Sequence, residues 1–160
     1  MRKIKMRNFS RAMILFAVAD IKGGEKYPEI KGKAKFYSQK SGVFINIEIE
    51  NLPIENKNNF FGLHIHEGDI CGEGKGDNPF SEAGEHHNLE GDKHPQHIGD
   101  LPMIYSNEGY AYMEFYTDRY EPKEILNHTI IVHEGMDDFK TDPAGNSGER
   151  IACGEIKISG

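Results

Sequence analysis

The densest chemical feature of the sequence is a run of histidines between His64 and Asp100. Six of the eight histidines of the chain fall inside this run. In GLHIHEGD, His64 and His66 alternate with Leu63 and Ile65, and alternate side chains of a β-strand share a face. The pattern therefore predicts a strand with two histidines on one face and two aliphatic side chains on the other.

The second half of the run lies in a segment rich in Gly, Pro, Asn and Asp. It supplies three imidazoles and one carboxylate, a ligand set that suits a closed tetrahedral zinc site: His86, His94, His97 and Asp100. A single histidine is usually a solvated or hydrogen-bonded side chain. The clustering argues against that interpretation, and the ordered Gly and Pro positions argue against a low-complexity tract that binds metal adventitiously.

Residues 67–97 show no sustained period, which is typical of a functional or disordered loop. We expect metal ligation to supply the order that a hydrophobic core cannot.

Alternation of apolar and polar residues predicts β-structure along most of the remaining chain. Strands are predicted at residues 12–23, 33–38, 43–50, 61–66, 98–105, 110–116, 130–133 and 150–158. The sequence shows no amphipathic helix of three turns and no internal repeat. Seven or eight short strands separated by turns indicate an antiparallel sandwich or flattened barrel. The tyrosines of the 110–116 strand are expected to pack beneath neighbouring loops rather than to form an aromatic binding strip.

One more histidine, His133, lies at the end of a β-branched run in TIIVHEG. In this strand Ile130 and Val132 would face the core, so His133 would face outward. His64 and His66 are expected on the same exterior side, because the apolar residues beside them continue the buried face. The pattern thus predicts three outward histidines on the same exterior side.

Length and charge narrow the classes of protein that the chain can belong to. A chain of 160 residues has the length of one domain. We interpret residues 1–11 as a loose basic N-terminal arm and residues 12–160 as a single domain. The net charge of -7 argues against a nucleic-acid or an anionic-membrane partner, which would need clustered Lys and Arg. The two cysteines, Cys71 and Cys153, are too far apart for a C-x-x-C motif, so the residues alone leave open a disulfide or two buried thiols.

Five segments in this order resemble the copper/zinc superoxide dismutase family: GLHIHE, EAGEHHN, HPQHIGD, IIVHEGMDD and GNSGERIACG. The resemblance runs from about Ala17 to the C-terminus. It implies an all-β fold, an eight-stranded antiparallel Greek-key barrel or sandwich with long metal-binding loops. It also implies conversion of superoxide to oxygen and hydrogen peroxide, by copper cycling between Cu(II) and Cu(I) beside a structural zinc. It assigns copper to His64, His66, His86 and His133, and zinc to His86, His94, His97 and Asp100.

The same resemblance gives roles to further residues. His86 bridges the two metals, and Arg150 is the cationic guide for the substrate beside copper, so these two are the implied catalytic residues. Asp137 is the carboxylate that links the two sites, and Cys71 and Cys153 form the intrachain disulfide. An ordinary surface arginine, paired with a carboxylate such as Glu149, is the alternative interpretation of Arg150.

The chain departs from the family pattern in three places. His87 stands where an aromatic residue is usual, Ala144 replaces a polar residue of eukaryotic members, and the loop at residues 134–149 is shorter. These departures concern the surroundings of the metals and leave every implied ligand in place.

The N-terminal segment MRKIKMRNFSRAMILFAVA has the basic and apolar parts of a signal peptide. Cleavage after Ala19 would remove residues that the resemblance places in the first strand, and the apolar run at residues 12–19 is too short to span a bilayer. We therefore expect a cytoplasmic protein, with export as the alternative.

The implied partners are superoxide as substrate, copper and zinc as cofactors, and a second copy in a homodimer; no nucleic-acid or membrane partner is expected. One alternative is a non-enzymatic member of the fold that binds zinc and stores or delivers copper. Loss of a copper histidine or of Arg150 would favour it, and neither is lost. Another is a secreted, disulfide-linked adhesion module, which would leave the order of the histidines unexplained.

Overall fold

The computed structural model describes residues 13–55 and 58–160. Its strands are β1 (Ile14–Gly23), β2 (Lys31–Gln39), β3 (Gly42–Glu50), β4 (Phe60–Phe61), β5 (Leu63–His66), β6 (Ile104–Asn107), β7 (Tyr110–Thr117), β8 (Thr129–His133), β9 (Arg150–Glu155) and β10 (Lys157–Ile158). The helical segments within the described ranges are two short 3-10 turns, at Ser81–Ala83 and Pro122–Ile125. None of the described helices is long and apolar enough to cross a membrane. The predicted arm at residues 1–11 lies outside the described residues, and the division into one arm and one domain stays a prediction.

The strands form one antiparallel sheet that is rolled into a nearly closed barrel. Their order is β4, β6, β7, β3, β2, β1, β9, β8 and β5, with β10 beside β1. The two ends of this order, β4 and β5, are consecutive in the chain and separated only by Gly62. The continuous segment at residues 60–66 therefore pairs with β6 through β4 and with β8 through β5. The predicted all-β barrel is confirmed. It contains eight strands of four or more residues and, in addition, the two-residue strands β4 and β10.

The interior of the barrel follows from the alternating pattern, of which β3 is the clearest case. Its fully buried side chains are Val43, Ile45, Ile47 and Ile49. Glu48 and Glu50 point the other way and are exposed. Ile45 lies opposite Phe36 of β2 and Phe115 of β7, and all three pack in one core. Burial of one such aliphatic side chain contributes about 1.5–3 kcal/mol, so this register fixes which face of the sheet is inside.

Two local expectations are wrong. The strand predicted at residues 98–105 begins only at Ile104, because the residues before it run along β5 instead, where Leu101 N donates to Leu63 O (3.3 Å). Two of the three tyrosines of β7 are exposed rather than covered by loops. Tyr110 and Tyr112 are 44% and 53% exposed, and their hydroxyl groups donate to carboxylates of the neighbouring sheet surface, because the long loop covers the other side of the barrel.

That long loop, between β5 and β6, has a small apolar cluster of its own. Phe80 and Ala83 of the loop pack against Ile131 of β8 and Cys153 of β9, with Cys71 at the edge. The disulfide implied by the resemblance is present between Cys71 and Cys153. The loop therefore has a support in addition to the expected metal ligation, because the outward face of β8 and β9 gives it apolar side chains to pack on.

Candidate metal centre

The loop is held along the free edge of β5 by backbone hydrogen bonds. His87 N donates to Ile65 O (2.8 Å), and Ile65 N donates to Gly99 O (2.8 Å). These bonds place His86 opposite His66 in an isolated β-bridge. An edge strand exposes unpaired N–H and C=O groups, and here those groups fix the loop residues at the positions that ligation needs.

The same arrangement brings in ligands from the rest of the loop and from the barrel. A second isolated bridge places Asp100 opposite His64. On the other edge of β5 the antiparallel register sets His64 opposite Ile131 of β8, and His133 ends that strand. As predicted, the three strand histidines share the outward side of the barrel. They are buried nonetheless, because the loop covers them.

Four histidines form a first buried group, which we call the four-histidine group. One ring nitrogen of each lies within 4.8 Å of the others: His64, His66, His86 and His133. His66 Nδ1–H donates to Gly84 O (2.9 Å) and His133 Nδ1–H donates to Gly148 O (3.2 Å). The two remaining nitrogens face each other, with 3.4 Å between His66 Nε2 and His133 Nε2. A backbone carbonyl that holds the second ring nitrogen is the usual way to fix the tautomer of a metal-binding histidine.

A second buried group consists of the three loop histidines and one aspartate, and we call it the histidine–aspartate group. Its ligand atoms also lie within 4.8 Å of one another: His86, His94, His97 and Asp100. Asp100 Oδ1 lies 2.8 Å from His86 Nδ1. Asp100 Oδ2 lies 3.2 Å from His94 Nδ1 and 3.3 Å from His97 Nδ1. Three ring nitrogens thus converge on one carboxylate.

The ring of His86 belongs to both groups. Its Nδ1 faces Asp100, while its Nε2 is buried and has no hydrogen-bond partner in the described part of the chain. Its ring centroid lies 3.9 Å from that of His64 and 4.9 Å from that of His66. Of all the predicted ligands, His86 is the one placed to connect the two groups through a single imidazole.

Asp137 connects the two groups a second time. It is 2% exposed, and it accepts hydrogen bonds from His64 Nε2 (2.6 Å), His94 Nε2 (2.8 Å) and Phe139 N (2.7 Å). Because an ionised carboxylate only accepts hydrogen bonds, both rings carry their proton on Nε2 and leave the lone pair on Nδ1. Gly145 closes over this arrangement at φ 61°, where a Cβ would collide with the Asp137 carboxylate and the His94 ring.

The donor atoms of both groups fit metal ions. Four ring nitrogens of the two groups are fully buried without a hydrogen-bond partner among the described residues: His64 Nδ1, His86 Nε2, His94 Nδ1 and His97 Nδ1. Each buried polar atom left unpaired costs about 1–3 kcal/mol, and a metal ion would remove that cost. An all-imidazole set suits copper, and three imidazoles with a carboxylate suit zinc.

Burial also prepares the rings for ligation. It lowers the pKa of His64 to about 4, although the hydrogen bond to Asp137 acts in the opposite direction. Burial likewise lowers the pKa values of His66 and His133 well below their ordinary range. These three rings are therefore neutral at neutral pH, and a metal ion does not have to displace a proton from them.

Arg150 lies at the edge of the four-histidine group. Its guanidinium donates to Phe80 O (2.9 Å) and Gly84 O (2.7 Å), so the Gly84 carbonyl accepts hydrogen bonds from both Arg150 and His66. Its side chain is 15% exposed, and burial lowers its pKa. A carboxylate does pair with Arg150, but it is that of Glu85, 4.0 Å from the guanidinium, whereas Glu149 binds Lys26 (2.8 Å).

Comparison with known proteins agrees with this geometry. A family model described as copper/zinc superoxide dismutase matches residues 30–156. The chain belongs to this family. It is 38% identical to copper/zinc superoxide dismutase 1 of Aquifex aeolicus over 168 aligned residues, which cover 94% of this chain and 92% of the relative. It is 38% identical to the copper/zinc superoxide dismutase of Deinococcus radiodurans over 143 residues, which cover 79% and 76%.

Solved structures show the same fold. A copper/zinc superoxide dismutase from Brucella abortus superposes with a TM-score of 0.73 at 24% identity, over 88% of this chain and 99% of that chain. A superoxide-dismutase-like protein from Bacillus subtilis, solved as a double mutant, gives a TM-score of 0.73 at 27% identity, over 89% and 99%. The family resemblance is thus confirmed, and copper and zinc are the metals that the family implies for the two groups.

Several residues that shape the centre were not singled out from the sequence. The carbonyl groups of Gly84 and Gly148 leave no signal in a sequence, since every residue has one. Asp142 accepts a hydrogen bond from His94 N (2.7 Å), and Lys26 binds carboxylates from residues more than 100 positions away. A pattern search could not have found these long-range pairs.

Proposed function

We propose that the protein dismutates superoxide, with copper held by His64, His66, His86 and His133 and zinc held by His86, His94, His97 and Asp100. Two superoxide anions and two protons become one molecule of oxygen and one of hydrogen peroxide. Bound copper supplies one-electron redox chemistry, whereas zinc has none and is structural in a closed four-ligand site. The observation that carries the proposal is the single imidazole of His86 between two complete ligand groups.

The His86 ring is suited to moving a proton during this reaction. Its Nδ1 faces Asp100, and its Nε2 faces the four-histidine group. While Nδ1 stays with the histidine–aspartate group, Nε2 can take up a proton in one half of the reaction and give it up in the other. Both sides of the ring are buried, so the protein, rather than bulk water, sets when this nitrogen carries a proton.

Arg150 is the residue that we propose to guide the substrate. The chain has a net charge of -7, which repels an anion, so fast capture requires a local positive potential at the site. The Arg150 charge acts on the His66 and His133 rings, and its two hydrogen bonds to carbonyl groups hold it there. The guanidinium therefore attracts superoxide and orients it beside the four-histidine group.

The histidine–aspartate group and Asp137 keep this arrangement rigid. Zinc ligation would fix three loop residues and Asp100 at one point, and Asp137 would hold the His64 and His94 rings in the tautomers that leave Nδ1 free for a metal. The function of zinc is then to keep the loop, and with it the Gly84 carbonyl, in place beside His66 and Arg150.

The test is metal content together with activity. Protein loaded with both metals should contain one copper and one zinc per chain by mass spectrometry and should dismutate superoxide. His133→Ala should lose copper, retain zinc and lose activity, because His133 belongs only to the four-histidine group. Asp100→Asn should weaken zinc first.

Each alternative has its own outcome in this experiment. If protein that is fully loaded with copper and zinc removed superoxide no faster than buffer alone, the proposal would be overturned and copper storage or delivery would be favoured. Loss of zinc before copper in His133→Ala would overturn the assignment of the ligands.

The cytoplasmic location and the homodimer stay predictions. Ala17 and Ala19 are fully buried in β1, and this supports retention of the segment that a cleavage after Ala19 would remove. The Cys71–Cys153 disulfide favours the exported alternative, since disulfides persist mainly in oxidising compartments. The mass of the protein isolated from its source, together with the cell fraction that contains it, would decide between the two locations.

A further inference from the structure

A pair of histidines outside both groups resembles the ligand pairs inside them. The rings of His87 and His128 have centroids 4.0 Å apart and planes tilted by 35°. The rings of His64 and His86, two members of the four-histidine group, have centroids 3.9 Å apart and a tilt of 32°. The two pairs therefore present their rings to each other at nearly the same spacing and angle.

The hydrogen bonds of this outer pair also match those of the ligands. His128 Nδ1–H donates to Glu67 O (2.9 Å), as His66 and His133 donate to the carbonyl groups of Gly84 and Gly148. This bond leaves the lone pair on His128 Nε2. A histidine whose second nitrogen is held by a backbone carbonyl is prepared for ligation.

His87 supplies a second available nitrogen. The residue is 5% exposed, and its Nε2 is fully buried with no hydrogen-bond partner in the part of the chain that the structure describes. Four other ring nitrogens have this property, and all four belong to the two metal groups. A pair of tilted rings without a ligand would leave this buried nitrogen unpaired, at a cost of about 1–3 kcal/mol.

Two acidic residues also lie in the neighbourhood of this pair. The carboxylates of Glu67 and Glu124 are close enough to act electrostatically on the His87 ring. Glu67 also carries the carbonyl that orients His128, but its carboxylate does not form a ligand group of three with the two imidazoles among the described residues. Two imidazoles suit divalent first-row transition metals, among which Cu²⁺ binds most tightly.

We propose that His87 and His128 form a third metal site, which binds a divalent transition-metal ion through the two Nε2 atoms. With two protein nitrogens the site is weaker and more exchangeable than the two four-ligand groups. It stands whether or not the protein dismutates superoxide, because none of its ligands belongs to either group.

The test is a titration of protein that already carries copper and zinc in its two groups. Wild-type protein should bind one further equivalent of Cu²⁺ by calorimetry, and the added Cu²⁺ should show nitrogen ligation by electron paramagnetic resonance. His128→Gln should weaken this equivalent at least tenfold, and so should His87→Phe, which keeps an aromatic ring for stacking but removes the nitrogen. Glu90→Gln, which removes an exposed carboxylate elsewhere on the same loop, is the control and should bind like wild type.

Two results would overturn the third site. One is that loaded wild-type protein binds no further Cu²⁺. The other is that the further equivalent survives both histidine substitutions, which would make it adventitious. If His87→Phe failed to fold, His128→Gln would decide alone, because His128 is a partly exposed residue distant in sequence from all the ligands of the two groups except His133.

Discussion

Replacing Asp137 with alanine is the sharpest test of how the two metal groups are coupled. The carboxylate accepts the Nε2 protons of His64 (2.6 Å) and His94 (2.8 Å), so Asp137→Ala leaves two buried ring N–H groups without an acceptor. A hydrogen bond to a charged group contributes about 1.5–3 kcal/mol. Removing the partner that orients a metal-binding ring typically costs about 10–100-fold in metal affinity, which corresponds to about 1.4–2.8 kcal/mol.

The loss should fall more heavily on zinc than on copper. His64 lies on β5, which backbone hydrogen bonds hold to β8 on one side and to the loop on the other. Its position therefore survives the loss of the carboxylate. His94 lies on the loop, where Asp137 and Asp142 are its main polar supports outside its own group. We expect zinc affinity to fall by about 100-fold and copper affinity by about 10-fold, the two ends of the typical range.

Competition with chelators of known affinity, with metal content read by mass spectrometry, measures both losses. The matched control is Asp138→Ala, since Asp138 is exposed and its carboxylate holds Lys140 N and Thr141 rather than a histidine ring. The control should keep both affinities. An Asp137→Ala protein that loses copper more than zinc, or loses neither, would refute the idea that Asp137 chiefly supports the loop.

The same substitution has a pH signature in the metal-free protein. Burial alone would raise the pKa of Asp137, but hydrogen bonds from His64, the Phe139 amide and His94 outweigh it and lower the pKa from 3.8 to about 2. A lowered pKa means that the ionised carboxylate stabilises the fold above about pH 4 and that this contribution is lost as the pH falls toward 2. The stability difference between wild type and Asp137→Ala, measured by urea unfolding, should therefore shrink over that interval. A difference that is constant with pH would contradict the hydrogen-bonding scheme.

Three further predictions concern the surroundings of the metals. Arg150→Glu should lower the rate with superoxide at least tenfold, about 1.4 kcal/mol, and change its dependence on ionic strength, with both metals still bound; an unchanged rate at low salt would exclude Arg150 as the guide. Reduction of the disulfide, which closes a loop with a sequence separation of 82, should lower the melting temperature, since chain entropy gives an upper figure of about 4–5 kcal/mol; an unchanged melting curve would contradict this. Lys26→Met should slow the reaction at low salt, because Lys26 binds Glu134 (3.0 Å), which is next to the ligand His133, and Glu149 (2.8 Å), which is next to Arg150. The control is Lys31→Met, which breaks an ion pair with Glu50 and should leave the rate unchanged.

Most of the barrel could be predicted because its strands alternate. In β3 every second residue is a β-branched aliphatic, so pattern and burial coincide. Residues 98–101 could not be placed in this way. They carry the apolar residues of a strand, but their partner is the edge of β5, and a sequence does not show which edge is free. The same difficulty explains the loop, whose apolar cluster depends on Phe80 meeting the outward face of β8.

The ligands could be predicted because ligation requires particular side chains at particular spacings. HxH on a strand places two imidazoles on one face, and the structure keeps them there. The parts that could not be predicted are of two kinds. Backbone carbonyls, such as that of Gly84, are chemically alike at every position. Ion pairs such as Lys26 with Glu149 join segments that only the closed barrel brings together.

The arrangement also gives a metal without redox chemistry a route to affect the rate of the proposed redox reaction. The Gly84 carbonyl accepts hydrogen bonds from both His66 and Arg150. This one point on the loop therefore positions both a ligand ring and the proposed substrate guide. That point is anchored by the disulfide to β9 on one side and by the bridge between His86 and His66 on the other. The histidine–aspartate group holds the remainder of the loop. His86 of that bridge is itself a member of the histidine–aspartate group, so removing zinc would relax the point that positions His66 and Arg150. A fall in rate with copper still bound would then be a consequence of geometry rather than of lost electron transfer.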